Sequence, residues 1–237
     1  MGWIVLKRGL DCTLAGLLLA FSLPLLVAAA IAIKLDSRGP VFFSQARMGK
    51  GFKRFHLLKL RTMRIAVGGP LYTVAEDPRI TRVGRWLRWF KVDELPQLWN
   101  VLRGQMSLVG PRPVIPDLAF EFKDAYERLL EVRPGLTDPA TVKYCREDEL
   151  LARLPDPLVY FKNVLVPEKL RLSASYLEHA NVWADLGLMA RTALALFPSN
   201  LGQRLMHERL ALPAQASGML FSEPSPGSEA RHSAENV

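Results

Sequence analysis

Between Cys12 and Ile33 the chain carries 22 residues without a formal charge, long enough as a helix to cross the hydrocarbon core of a bilayer. Such a run must be buried in lipid or in protein, so it constrains the fold more than any other feature of the 237 residues. It is too long for the apolar part of a cleaved signal peptide. Two forms remain. A single spanning helix is the simpler one. Against it stand Ser22 and Pro24 near the centre, since proline removes a backbone donor, clashes with the preceding turn and bends a helix. Lys7 and Arg8 precede the run, while Lys34, Arg38, Arg47 and Lys50 follow it. Basic flanks favour the cytoplasmic side, and here both flanks are basic. A bent, re-entrant helix that enters and leaves by one face satisfies both ends; a kinked spanning helix is the alternative.

The remaining composition narrows the partners. Net charge is +8, and the stretch from Pro213 to Val237 has a balance of −2, leaving +10 on residues 1–212. A basic domain suits an anionic partner: a nucleotide, an acidic membrane surface or nucleic acid. The chain has no recognisable nucleic-acid motif, which directs the basic character toward nucleotide and anionic phospholipid. Cys12 and Cys145 make no disulfide framework. His56, His179, His207 and His232 lack the spacing of a zinc site, and no glycine-rich phosphate loop or dinucleotide fingerprint is present.

Chemistry concentrates in Asp93-Glu94-Leu95-Pro96-Gln97-Leu98-Trp99-Asn100, running on to Ser107-Leu108-Val109-Gly110-Pro111-Arg112-Pro113. The pattern predicts a helix that Asp93 caps, with Pro96 in its first turn and one apolar face made by Leu95, Leu98, Val101 and Leu102. Free amides and the helix dipole there favour an ionised carboxylate and attract phosphate. An anionic nucleophile beside an anion site suits attack on phosphorus, although an isolated Asp-Glu at a helix start is usually only a cap.

The surrounding motifs carry more. Lys7-Arg8-Gly9-Leu10-Asp11 precedes the apolar run, and the stretch from Asp36 to Gly49 reads Asp-Ser-Arg-Gly-Pro-Val-Phe-Phe-Ser-Gln-Ala-Arg-Met-Gly. Lys59-Leu60-Arg61-Thr62-Met63 and the segment from Asp77 to Arg85 follow, then residues 93–113. In that order they resemble the bacterial sugar transferase family of monotopic phosphoglycosyl transferases, in its short, catalytic-core form. The likeness covers roughly residues 5–140 and weakens toward 200. One departure stands out. After Arg133-Pro134-Gly135-Leu136-Thr137 the family commonly continues Gly-Trp-x-Gln-Val, whereas Asp138-Pro139-Ala140-Thr141-Val142 follows here. That stretch is expected to touch donor or acceptor, so sugar identity does not carry over.

The expected fold is α+β and mostly helical. Residues 1–36 form a re-entrant membrane helix-break-helix, residues 37–200 a compact cytoplasmic catalytic domain, and residues 213–237 a disordered tail rich in Ser, Gly, Pro and Glu. Strands are predicted around Val41-Phe42-Phe43 and from Phe52 to Leu57, with a loop at 65–78. Helices are predicted at 81–90, from Asp93 to near Gly104, and at 116–131, 147–153, 167–179 and 182–197. Gly110-Pro111-Arg112-Pro113 is read as a fixed loop. Arg85-Trp86-Leu87-Arg88-Trp89-Phe90-Lys91 interleaves aromatics with cations as interfacial helices do, and 182–197 suits an interfacial or a buried helix equally.

The resemblance implies a membrane enzyme that moves a phosphosugar from a UDP-sugar donor to a polyprenol phosphate acceptor, at the bacterial inner membrane with the catalytic domain facing the cytoplasm. It makes Asp93 the nucleophile, with Asp93 and Glu94 holding Mg²⁺. Arg88 and Arg112, with Lys59, Arg61, Gln45 and Arg47 behind them, become phosphate-binding residues, since guanidinium forks match phosphate oxygens. Lys7 and Arg8 are expected to anchor to lipid headgroups, and Ser22 and Pro24 to set the kink. A catalytically silent membrane scaffold of a glycan-assembly complex is the alternative function. A homodimer is left open.

Overall fold

The computed structural model describes residues 2–64 and 77–196. The expected disordered tail and nearly all of the expected loop at 65–78 lie outside the described residues.

Helix α1, Gly2–Asp36, is one long element with Pro24 inside it. The expected helix-break-helix is therefore not an interruption: backbone stays helical through Ser22 and Pro24. A proline can bend a helix while its residues remain helical, and the Ser22 hydroxyl donates to the Leu19 carbonyl at 3.0 Å in the adjoining turn. The middle of α1 is bare. Leu17, Leu18, Phe21, Leu23, Leu25 and Val27 are all exposed, Phe21 to 81 %. Its two ends are not. Asp11 and Ala15 are buried near one end, and Ala29 and Ile33 near the other.

Strands β1, Phe42–Met48, and β2, Arg54–Leu60, form an antiparallel hairpin with Phe42 opposite Leu60 and Met48 opposite Arg54. Gly51, at φ +64°, supplies the left-handed residue of the turn between them. Helix α2, Arg82–Trp89, begins where the Thr81 hydroxyl accepts from the Gly84 amide at 2.9 Å. Gly84 lies so close to Thr62 that a Cβ would stand 2.0 Å from the Thr62 carbonyl oxygen, a backbone atom that cannot swing away. Gly84→Ala should therefore push α2 off the end of β2, costing about 3 kcal/mol as an overpacked core position does. Thermal unfolding checks this, with Tm expected to fall by about 6 to 12 °C.

Helix α3, Gln97–Leu102, ends at Gly104 in the left-handed region, φ +77°. Strand β3, Ser107–Val109, pairs in parallel with β4, Gly135–Thr137, after a crossover through α4, Pro116–Glu121, and α5, Lys123–Leu129. The single helix expected at 116–131 is thus two, parted at Phe122. Short helices α6, Pro139–Lys143, α7, Glu147–Leu151, and α8, Pro157–Tyr160, lead through a π-turn to α9, Val166–Glu178, and α10, Val182–Leu196. The aromatics expected at an interface are exposed: Trp86, Trp89 and Phe90, joined on α10 by Trp183.

One core cluster gathers Phe55 and Leu57 of β2, Leu98 and Val101 of α3, Leu108 and Val109 of β3, and Ala15 of α1. A second packs Met48, Val114, Leu118, Leu129 and Val166. A third ties Ala29 and Ile33 of α1 to Leu60 and Leu87. Both ends of α1 are therefore seated on the same domain.

Candidate active site

The site rests on the β-hairpin and on the turn leading into α3. Alternation along a strand puts Gln45 and Arg47 on one face of β1, and the register places Lys59 on that same face of β2. Asn100 locks α3 against β2: its side-chain oxygen accepts from the Leu58 amide at 3.0 Å and its amide nitrogen donates to the His56 carbonyl at 2.8 Å.

Asp93 does not cap a helix, contrary to the sequence expectation. It sits in a 3-10 turn, Val92–Glu94, and the α-helix starts only at Gln97. Lys91 in the left-handed region (φ 54°, ψ 21°) rotates the chain before that turn, so local amides bond backbone carbonyls: Glu94 N to Lys91 O, and Leu95 N to Val92 O. The Asp93 carboxylate is left over. Asp93 is buried, and its Oδ1 has no hydrogen-bond partner among the described residues. An orphaned buried oxygen is rare and invites a ligand-binding explanation.

Glu94 is treated oppositely. Its Oε1 accepts from Lys59 Nζ at 3.0 Å and from Arg112 Nη2 at 2.5 Å. Burial pushes the Asp93 carboxyl above its ordinary value, with Lys59 opposing and Glu94 adding to the rise. Burial would raise Glu94 as well, but Arg112 and Lys59 overcome it and hold that carboxyl well below the usual range. Two adjacent carboxylates with separated acidities mark a division of labour. Glu94 is the fixed counter-ion of Lys59 and Arg112, and Asp93 keeps an oxygen without a partner.

The arginine loop at 110–113 is tied to β4 and reaches Glu94. Gly135 N donates to the Pro111 carbonyl at 2.9 Å, Gly110 N to Thr137 O at 3.0 Å, and Arg112 reaches Glu94 from there. Arg47 donates to Gln45 Oε1 at 2.8 Å and to the Pro113 carbonyl at 3.3 Å. Desolvation, then the nearby Arg112 charge, lowers its pKa to about 10. Burial also lowers Lys59. Arg88 acts on both Asp93 and Asp77 by charge. The structure thus brings Gln45, Arg47, Lys59, Arg88, Asp93, Glu94 and Arg112 together.

Other expected site residues are used differently. The buried Arg61 guanidinium donates to Arg38 O at 2.5 Å, Ser37 O at 2.7 Å and Ile33 O at 3.4 Å, so it caps the C-terminal end of α1 instead of facing substrate. Lys7 pairs with Asp185 of α10, and Arg8 donates to the carbonyls of Val101 and Leu102 at 2.7 and 3.0 Å. Both make internal ties. Asp138, in the stretch expected to meet substrate, is fully buried: it caps α6 through the Thr141 amide at 2.7 Å and accepts from the Ser173 hydroxyl at 2.6 Å. Sequence reasoning passed over Lys91, which a positive charge two residues from Asp93 could have signalled. It also passed over Glu147, whose pairing with Lys169 had no local signal.

A magnesium ion fits the open Asp93 oxygen better than it fits Glu94, which already holds two cations. Among the described residues no group of three or more His, Cys, Asp or Glu gathers.

The chain is similar to known proteins over most of its length. The bacterial sugar transferase family model matches residues 3–199. The chain is 41 % identical over 199 residues to the UDP-glucose:undecaprenyl-phosphate glucose-1-phosphate transferase of Caulobacter vibrioides, covering 82 % of this chain and 70 % of that protein. It is 40 % identical over 195 residues to the undecaprenyl-phosphate glucose phosphotransferase of Komagataeibacter xylinus, covering 78 % of this chain but only 35 % of that protein. An N-acetylgalactosamine phosphotransferase of Aeromonas hydrophila is 37 % identical over 170 residues, 67 % of this chain and 39 % of its own length. With the match extending over most of its length, the chain belongs to the bacterial sugar transferase family.

Proposed function

We propose that this protein transfers a phosphosugar from a UDP-sugar to polyprenol phosphate through a covalent intermediate on Asp93. The relatives are named for that overall reaction with glucose or N-acetylgalactosamine. The observation that carries the reading here is the buried, unpartnered Asp93 oxygen beside a Glu94 already neutralised by Lys59 and Arg112.

In the first half-reaction an Asp93 oxygen attacks the sugar-bearing phosphorus. An Asp93–phosphate bond forms, the bridging P–O bond breaks, and UMP departs with the electron pair. In the second, an oxygen of the lipid phosphate attacks the same phosphorus and frees Asp93. Splitting one transfer into two lets a soluble donor and a lipid acceptor use one site in turn. The pocket opposes an anionic nucleophile with burial, so Lys59 and Arg88 have the task of keeping Asp93 ionised as a phosphate approaches. Arg112, bonded to Glu94 from the Pro-Arg-Pro loop, and Arg47, held by Gln45 and Pro113, would donate to phosphate oxygens. Mg²⁺ held by Asp93, with Glu94 as a weaker second, would neutralise diphosphate charge.

Detergent-held protein incubated with Mg²⁺, polyprenol phosphate and a panel of UDP-sugars should release UMP from at least one donor. Chelation with EDTA should abolish release, and added Mg²⁺ should restore it. Absence of UMP from every donor, with folding verified, would reject the reading.

The seating of α1 supports a re-entrant placement, and we place the protein at the bacterial inner membrane with the domain on the cytoplasmic face because basic residues flank both ends of the apolar run. Asp11 accepts from Ser107 Oγ at 2.7 Å and from Leu108 N at 3.1 Å, while Arg61 holds the Ile33 end. A straight helix separates those residues by about 33 Å, roughly a bilayer's hydrocarbon thickness, yet both bond the same domain. In sealed vesicles lacking the native cysteines, Leu6→Cys and Leu35→Cys should label with an impermeant maleimide from one face; labelling from opposite faces would establish a spanning helix. Such a protein would catalyse the first membrane step of glycoconjugate assembly, and the sugar is what the donor panel names.

A further inference from the structure

Most cations near Asp93 are already engaged. Lys59 and Arg112 bond Glu94, and Arg47 is held by Gln45 and Pro113. Lys91 differs. Its side chain makes no hydrogen bond or ion pair among the described residues, although the residue is half-buried and lies two positions before Asp93.

Its backbone is equally unusual. With φ 54°, Lys91 is one of two non-glycine residues at positive φ among the described residues, the other being Phe52 in the hairpin turn. The conformation is required, because the Lys91 amide donates to Arg88 O at 3.1 Å to end α2 and its carbonyl accepts from Glu94 at 3.1 Å to start the turn that carries Asp93. Glycine or asparagine would meet that requirement with less strain. Strained backbone positions gather at functional sites, where the strain is retained for what the side chain does, and a lysine left here without an internal partner fits that tendency. Its charge reaches Asp93, Glu94 and Glu147.

We propose that Lys91 is a phosphate-binding residue whose ammonium contacts the phosphoryl group brought to Asp93, either in the donor diphosphate or on the lipid phosphate. The inference rests on the transferase reading above and adds to it a residue that stands outside the Glu94 network.

The test compares wild type with Lys91→Asn, Lys91→Gly and Lys91→Arg in detergent with Mg²⁺, titrating donor and lipid separately. In two-step kinetics kcat/KM for each substrate reports its own half-reaction. Lys91→Asn and Lys91→Gly should lose about 10- to 100-fold in one of the two, the scale of a hydrogen bond to a charged group. Loss against the UDP-sugar assigns the donor diphosphate, and loss against polyprenol phosphate assigns the lipid. Lys91→Arg should recover most of the loss, and the neutral variants should melt at or above wild type. Unchanged kcat/KM for both substrates would overturn the proposal. So would a loss that accompanies a lower Tm and is not recovered by arginine. Equilibrium binding of UDP and of polyprenol phosphate is measured on the same proteins, so the proposal is decided even if wild type turns over no donor: weaker binding of either to Lys91→Asn supports it, and equal binding of both rejects it.

Discussion

Asp93→Asn is expected to lower UMP release by at least about four orders of magnitude, the scale on which removing a covalent nucleophile acts, and to make the protein more stable. The two effects have one cause. Burial raises the Asp93 carboxyl above its ordinary value of 3.8, and its Oδ1 has no partner. A carboxyl raised on folding favours the folded state fully below the unfolded value, and that contribution is lost as pH rises through the folded value. At neutral pH Asp93 is therefore a net cost to the fold, which the uncharged asparagine removes. Tm of Asp93→Asn should exceed that of wild type at pH 7, and the gap should close as pH falls toward 3.8. A variant that is inactive and less stable would mean that Asp93 holds the structure together instead.

Glu94→Gln should show the opposite balance. Glu94 is the anion between Lys59 and Arg112, and without it two cations face each other across the site. Removing one partner of a fully buried ion pair costs about 3 to 5 kcal/mol. The Arg112 side chain is 37 % exposed, and water screens it, so about 2 to 3 kcal/mol is expected here. For a chain of this size Tm should fall by about 4 to 12 °C. The pH dependence changes too. Burial opposes the Glu94 charge but Arg112 and Lys59 prevail, so its folded value lies well below its ordinary 4.5. Its stabilisation is thus present above 4.5 and lost as pH falls through the folded value, and Glu94→Gln should lack that acid limb. Activity should drop by about 100-fold as Arg112 and Lys59 lose their fixed positions, the scale on which small misplacements act. Unchanged stability at pH 7 would show that Arg112 and Lys59 are not held by Glu94.

What was legible in the sequence follows from the range of the interactions involved. The strands at 42 and 54 could be read because aromatic-rich segments bounded by glycine mark them locally, though their pairing was not expected, and α2 because Thr81 caps it within four residues. The parallel β3–β4 pair could not, since each strand is three residues long and its stability comes from a partner 28 positions away. The helix expected at 116–131 parts at Phe122, where the chain turns so that Leu118 and Leu129 both meet the Met48 and Val166 cluster, a packing demand absent from local periodicity. Asp93 and Glu94 stood out as a pair, with Asp93 expected as the nucleophile, but the different surroundings of their two carboxylates were not legible. They depend on Lys91 rotating the backbone ahead of Asp93 and on Lys59 and Arg112 arriving from distant segments. The same holds for Lys7, Arg8 and Arg61, which look like free cations until Asp185, the α3 carbonyls and the end of α1 come into view.

The covalent step is tested most directly by mixing the protein with Mg²⁺ and the UDP-sugar that supports turnover, withholding lipid, and recording its intact mass. An Asp93 nucleophile predicts an adduct of one phosphosugar that maps to the peptide containing Asp93, disappears on addition of polyprenol phosphate and never forms on Asp93→Asn. UMP release only when both substrates are present, with no adduct at any time, would contradict the account and point to direct transfer from donor to lipid.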